Sequence, residues 1–196
     1  MTDPALSARF RSIALMTLIA VYLVILAGGI VRASGAGMGC PDWPKCFGQW
    51  IPPTEESQLP ANYHETYAKL GYADTRFNAV KTWTEYGNRL VGATAGLLVI
   101  FTVFAARRFR DADPSVFKLS LAALFAIGFQ AWLGKALVMS NLRPWMITIH
   151  MLMAFVVVCL LIYTIARSQK DRLAAIDASR LPPRFKRVLQ DRKSVV

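Results

Sequence analysis

Histidine is nearly absent from this chain: His64 and His150 are the two in 196 residues. They lie in different regions, which excludes a metal cage built from several imidazoles. No phosphate-binding loop, catalytic triad or zinc-ligand spacing occurs. Acidic residues are few, 12 against 23 Lys and Arg, for a net charge of +11. Most telling is the lack of charge over long stretches.

Ile13 to Val31 carries no charge, and neither does Leu90 to Ala106. Leu119 to Met139 holds only Lys135, and Pro144 to Ala166 holds only the neutral form of His150. Crossing a hydrocarbon core of ~30 Å takes about 20 helical residues. Only helices satisfy every backbone polar group within such a segment, and barrel strands would alternate in polarity, which these blocks do not. The sequence therefore predicts an all-α integral membrane protein, a bundle of four transmembrane helices at about 13–32, 84–106, 117–139 and 144–166. Residues 1–12 form a tail, 33–83 an outer loop, and 167–196 a basic tail or linker. The first block follows Arg9 and Arg11 but is long and is not followed by a small-residue cleavage site, so it reads as a retained helix.

Charge orients the bundle. The N-terminal tail, the 107–118 loop and the segment after Ala166 hold 15 basic and 6 acidic residues, a net of +9, while the remainder nets +2. The positive-inside rule places both termini in the cytoplasm and the 33–83 loop outside. The basic excess reads as topology and lipid-headgroup contact rather than nucleic-acid binding. Arg184, Lys186, Arg187, Arg192 and Lys193 are expected along the membrane surface.

The outer loop begins with flexible Ala33–Gly39. Cys40-Pro-Asp-Trp-Pro-Lys-Cys46 follows, where two prolines and an aromatic favour a compact turn. A disulfide closing it in an oxidising compartment would contribute about 2–3 kcal/mol on a chain-entropy estimate. Two free thiols are the alternative, and a labile, redox-active pair is a third reading. Short surface helices or an ordered lid are expected over Glu55–Asp74, with His64 solvated. Cys159, mid-helix, reads as a small core residue.

Ionisable and amide groups inside spans are costly and face a bundle interior or a cavity. His150 lies six residues into the fourth helix, about 9 Å along its axis. Met146, Ile147, Met153 and Ala154 share its face. One imidazole on an apolar wall suits a flat apolar cofactor such as haem; a histidine hydrogen-bonded to a neighbouring helix is the equal alternative. Glu85 and Asn88 open the second helix, with Gly92 and Gly96 continuing the face. The glycines read either as close helix packing or as room for a macrocycle. Glu85 is an acid, a proton relay, or a residue favoured at a helix start. Gln130 is placed to hydrogen-bond across the bundle. Lys135 snorkels, pairs with Glu85, or meets a ligand carboxylate. With Arg89 and Arg143 it would cradle an anionic group such as a haem propionate; surface anchoring explains these cations almost as well.

Taken together, these segments resemble the haem A synthase family (CtaA type). The matching stretches are Gly28-Gly-Ile-Val-Arg-Ala-Ser-Gly-Ala-Gly-Met-Gly-Cys-Pro-Asp-Trp-Pro-Lys-Cys46 with Phe47-Gly-Gln-Trp50, Glu85-Tyr-Gly-Asn-Arg-Leu-Val-Gly92, Gln130-Ala-Trp-Leu-Gly134, and Ser140-Asn-Leu-Arg-Pro144 followed by Ile149-His150. The resemblance covers roughly residues 10 to 167. It implies a multi-pass inner-membrane enzyme that oxidises the methyl group of haem O to the formyl of haem A for terminal oxidases. It also implies two four-helix halves, each with a histidine pair on its second and fourth helices. On that resemblance Glu85 is the functional carboxylate, His150 an iron ligand, and Cys40 with Cys46 the outer-loop pair. Gln130, Asn88, Arg89, Lys135 and Arg143 are the remaining cofactor-site candidates.

Two departures shape what is expected. Asn88 stands where the family has a histidine, three residues after the glutamate, and an amide is a poor iron ligand. Haem b or haem O/A would then be five-coordinate through His150, or not stably held. Only one half is present, and Leu181–Val196 reads as a linker leading onward. A second four-helix half, a homodimer and haem O synthase are the expected partners, with lipid as surroundings and no nucleic acid. A non-catalytic haem-binding subunit is the alternative function, and a haem-free transporter-like or structural bundle is a third.

Overall fold

The computed structural model describes residues 4–170, with side chains described from Ser7. The basic tail expected on the membrane surface lies outside the described residues. Helix α1 spans Pro4–Ala33. The long loop that follows holds one short α-helix, α2 (Tyr63–Thr66), flanked by 3-10 turns at Glu56–Gln58 and Ala68–Leu70. Three more long helices follow: α3 (Ala79–Ala106), α4 (Pro114–Met139) and α5 (Pro144–Ser168). All four long helices are apolar and long enough to cross a membrane, so the chain is a multi-pass membrane protein. Among the described residues the fold is all helical.

Local sequence explains the helix ends. Asn78 is extended, and its side chain accepts the Lys81 N–H at 3.0 Å, starting α3. Asp113 does the same for Ser115 ahead of Pro114, the first residue of α4. Pro144 opens α5 after a four-residue connection in which Asn141 and Leu142 take positive φ. Helix α3 begins at Ala79, five residues before the expected span start at 84, because its polar first turns pack under the loop rather than in lipid.

Each long helix packs on its chain neighbours, and α5 closes the ring against α1. The central core is made of small and β-branched residues: Ala20 and Val21, Ala95 and Val99, Ala123 and Ala126, Val157, Val158 and Leu161. Such side chains allow close approach where no hydrophobic drive separates protein from lipid. The Thr17 and Thr102 hydroxyls, both buried, meet at 2.8 Å and pin α1 to α3. At the end away from the loop, Phe10 and Phe109 meet edge to face over Ala14, Val116 and Ile165. There Arg167 and Lys170 both pair with Asp113, at 2.8 and 2.9 Å. Burial alone would raise the Asp113 carboxyl. The hydrogen bonds from Lys170, Arg167 and the Ser115 N–H outweigh it and bring its pKa down to about 2.

Outward faces are apolar, as lipid requires: Phe125, Phe155, Leu152 and Leu26 are among the most exposed side chains. Cys159 belongs to this set. It is a free, exposed thiol and not the small core residue expected from its mid-helix position.

Candidate functional site

The polar residues singled out in the spans gather toward the loop end of the bundle, in two layers. The upper layer joins the loop to α3. Gly39 lies so close to the first turn of α3 that a Cβ there would come within 2.4 Å of the Lys81 carbonyl oxygen. The Thr82 hydroxyl donates to the Gly39 carbonyl at 2.9 Å. One turn on is Glu85, 4% exposed, whose Oε2 accepts the Cys40 N–H at 2.8 Å. Its Oε1 pairs with Arg89 one turn further along, at 2.5 Å. Arg89 also donates to three backbone carbonyls of the loop: Cys40 at 2.9 Å, Asp42 at 2.5 Å and Lys45 at 3.0 Å. The guanidinium expected in a propionate cradle is thus engaged inside the protein.

Cys40 and Cys46 form a disulfide. Between them, the Asp42 carboxylate accepts the Phe47 and Gly48 N–H groups at 2.6 and 2.8 Å. Phe47, at φ +52°, is ringed edge-on by Tyr63, Tyr67, Tyr72 and Phe77, with centroids 5.3–6.2 Å away. The Tyr72 hydroxyl donates to the Met38 carbonyl; burial, then the nearby Glu85 carboxylate, push its pKa well above the ordinary phenol value. His64, expected in solvent, is instead partly buried: its Nδ1 lies 2.7 Å from the Tyr72 carbonyl and its ring rests on Tyr63. The loop is a folded cap with its own aromatic core.

The lower layer holds Asn88, Gln130 and His150. Gln130 reaches from α4 to α5, where its Nε2 donates to the His150 carbonyl at 3.0 Å. A Cβ on Gly134 of α4 would sit 3.4 Å from the His150 ring, and one on Gly28 of α1 would sit 3.9 Å from Asn88 Oδ1. Three buried polar atoms in this layer lack any partner among the described residues: Asn88 Oδ1, Gln130 Oε1 and His150 Nδ1. Each such atom costs about 1–3 kcal/mol. Gly92 and Gly96 have nothing within 4 Å of an added Cβ. They are an open lane, not a tight helix contact.

Lys135 and Arg143 are exposed, and their side chains make no hydrogen bond or ion pair. Lys135 does not pair with Glu85, whose partner is Arg89. Among the described residues no group of three or more His, Cys, Asp or Glu could hold a metal ion.

The donor set bears on haem directly. Of the three unpartnered groups, only imidazole is a competent iron ligand; amides are not. His150 makes no hydrogen bond through its ring, so no protein partner competes for it. The donor set therefore suits a haem held through one histidine and does not suit a histidine pair.

Several contributors escaped the sequence reading. Gly134 and Gly28 matter through what their missing side chains leave room for. Asp42 and Thr82 work through backbone groups. Of these, Asp42 carried a readable signal: an acidic residue inside a seven-residue cysteine turn is suited to capping that turn.

Four apolar spanning helices, an ordered cap and an imidazole beneath it with no protein partner define a multi-pass helical membrane protein. Residues 11–190 match the model of the COX15-CtaA family, cytochrome oxidase assembly protein. The chain belongs to that family. It is 34% identical to the haem A synthase of Shewanella oneidensis over 84% of its own length and 47% of the relative's. It is 27% identical to the haem A synthase of Alkalihalophilus pseudofirmus, over 72% of this chain and 40% of that one. For the haem A synthase of Symbiobacterium thermophilum the identity is 26%, over 84% and 46%. The chain spans less than half the length of these relatives.

Proposed function

We propose that this chain is a half-length haem A synthase unit, which holds haem O in the membrane and takes part in oxidising its ring methyl to a formyl group for terminal oxidases. The observation that carries this reading is His150: an imidazole with no protein partner, beside Gly134. Bound haem would supply the redox-active iron and the methyl to be oxidised. His150 would hold the iron, and Asn88, an amide, would supply no second ligand. The Gln130 hydrogen bond to the His150 carbonyl holds α5 at that depth. Lys135 and Arg143, both free cations near the loop end, would meet the propionates.

In this reading the loop faces outward and both ends lie in the cytoplasm, as the +9 against +2 charge division supports. A second four-helix unit, from another chain or a second copy, would cover the open lane. Haem O synthase is the natural supplier of substrate.

The test is to purify the protein in detergent, supply haem O and examine the extracted pigment. A formyl haem, with its mass change and red-shifted spectrum, is expected, and colourless protein would refute the reading. A second reading, a non-catalytic haem carrier, is favoured by Asn88 in place of a second ligand. It predicts a haem spectrum with no conversion, including when a complementary half is supplied.

A further inference from the structure

We propose that Glu85 and Arg89 are positioning residues that mould the Cys40–Cys46 turn onto α3, and that the disulfide held in this way is sealed from external thiols.

The turn has little regular structure of its own; two backbone hydrogen bonds join Cys46 and Gln49, and none lies within Cys40–Cys46. Its shape comes from side chains. The Arg89 fork takes the carbonyls of Cys40, Asp42 and Lys45, at the start, middle and end of the turn. A guanidinium does this because its donors are fixed in one plane; an ammonium is a single point. Glu85 takes the N–H at the start of the turn, that of Cys40. The two side chains also neutralise each other, so neither leaves an uncompensated charge under the cap. Both Glu85 oxygens are occupied, which makes the carboxylate an anchor rather than a free proton carrier.

Thiol exchange requires a thiolate to reach one sulfur of the disulfide. Cys40 and Cys46 are each 0% exposed. Helix α3 closes them from below, through Thr82 and Glu85. The Phe47 ring and its four aromatic neighbours close them from the side. A reductant therefore reaches the sulfurs only when the turn lifts off α3, and the clasp sets how often that happens. None of this depends on whether haem binds.

The experiment measures reduction of the disulfide in detergent-solubilised protein by a water-soluble phosphine, read as a gel shift with a maleimide-polyethylene glycol. A C159A background removes the lipid-facing thiol. The parent should resist reduction until denaturant is added. R89A and E85A should react roughly ten- to a hundredfold faster, the effect of removing a charge-assisted hydrogen bond from a buried clasp. E85Q keeps an acceptor for the Cys40 N–H but loses the charge partner of Arg89, so its rate should fall between those of the parent and E85A, whereas R89K should not rescue. A purely global effect would track the thermal midpoint and would not separate E85Q from E85A. Parent protein reduced as fast as a denatured control overturns the proposal, and so does folded R89A reduced no faster than the parent. Should R89A fail to fold, the parent rate and the E85Q–E85A comparison decide alone.

Discussion

Gly134 offers the most direct probe of the interior site. A Cβ added there meets the His150 ring carbon Cε1 at 3.4 Å, so G134A asks the imidazole to give by a few tenths of an ångström. G134V adds two methyls to the same crowded spot, where branching at Cβ leaves few rotamers to turn them away. Overpacking of this kind costs about 1–3 kcal/mol. The imidazole has no hydrogen bond to hold it, so it is the group that moves. If His150 holds the haem iron, displacing it at that energy would weaken haem binding by roughly five- to a hundredfold. The assay is spectral titration of purified protein with haem b, with thermal unfolding of the haem-free protein alongside. G134A should lose little and G134V most of its affinity, with the haem-free thermal midpoint shifted far less than the binding. Equal affinities and identical Soret bands in the parent and G134V would refute the placement of His150 at the haem.

Other outcomes follow from the same geometry. N88H supplies a second imidazole on α3 facing Gly28, and a ferric haem spectrum that is high-spin in the parent should become low-spin, as read by absorption or electron paramagnetic resonance. G39A drives a Cβ to within 2.4 Å of backbone that cannot yield; it should destabilise the cap by about 1–3 kcal/mol, seen as faster proteolysis of the loop with the spans intact. Asp113 has a folded-state pKa of about 2 against an ordinary 3.8, so the unfolded chain binds the proton more tightly. Its contribution is whole above about pH 4 and is lost as the pH falls toward 2. Arg167 and Lys170 are 37% and 44% exposed, and screening by solvent reduces this contribution to about 1 kcal/mol. D113N should remove that acid sensitivity in a pH series of thermal melts.

What the sequence disclosed and what it hid divide along a physical line. The four spans were legible because lipid tolerates no charge, and the uncharged runs mark them. Their ends were less so. Arg9 and Arg11 lie inside α1, and the polar turn before Glu85 is helical because the cap packs on it. Glu85, Asn88, Gln130 and His150 stood out as side chains lipid would not accept without cause, and the structure brings them to one end of the bundle. Partners were another matter. Arg89 and Glu85 bind backbone atoms of a loop more than forty residues away in sequence, and side-chain identity carries no trace of that. Glycine was ambiguous for the same reason: Gly39 is crowded by backbone while Gly92 faces open space. Cys159 shows the reverse error, since in a membrane an apolar side chain gains nothing by being inside.

The four-helix ring also bears on how such a unit is multiplied. An even number of crossings brings the chain back to the side from which it set out. A tandem copy, or a separate one inserted by the same charge rule, therefore sits parallel to the first, related by an axis along the membrane normal. In a tandem chain both caps would then open into a single compartment, where an odd-numbered unit would put them on opposite sides.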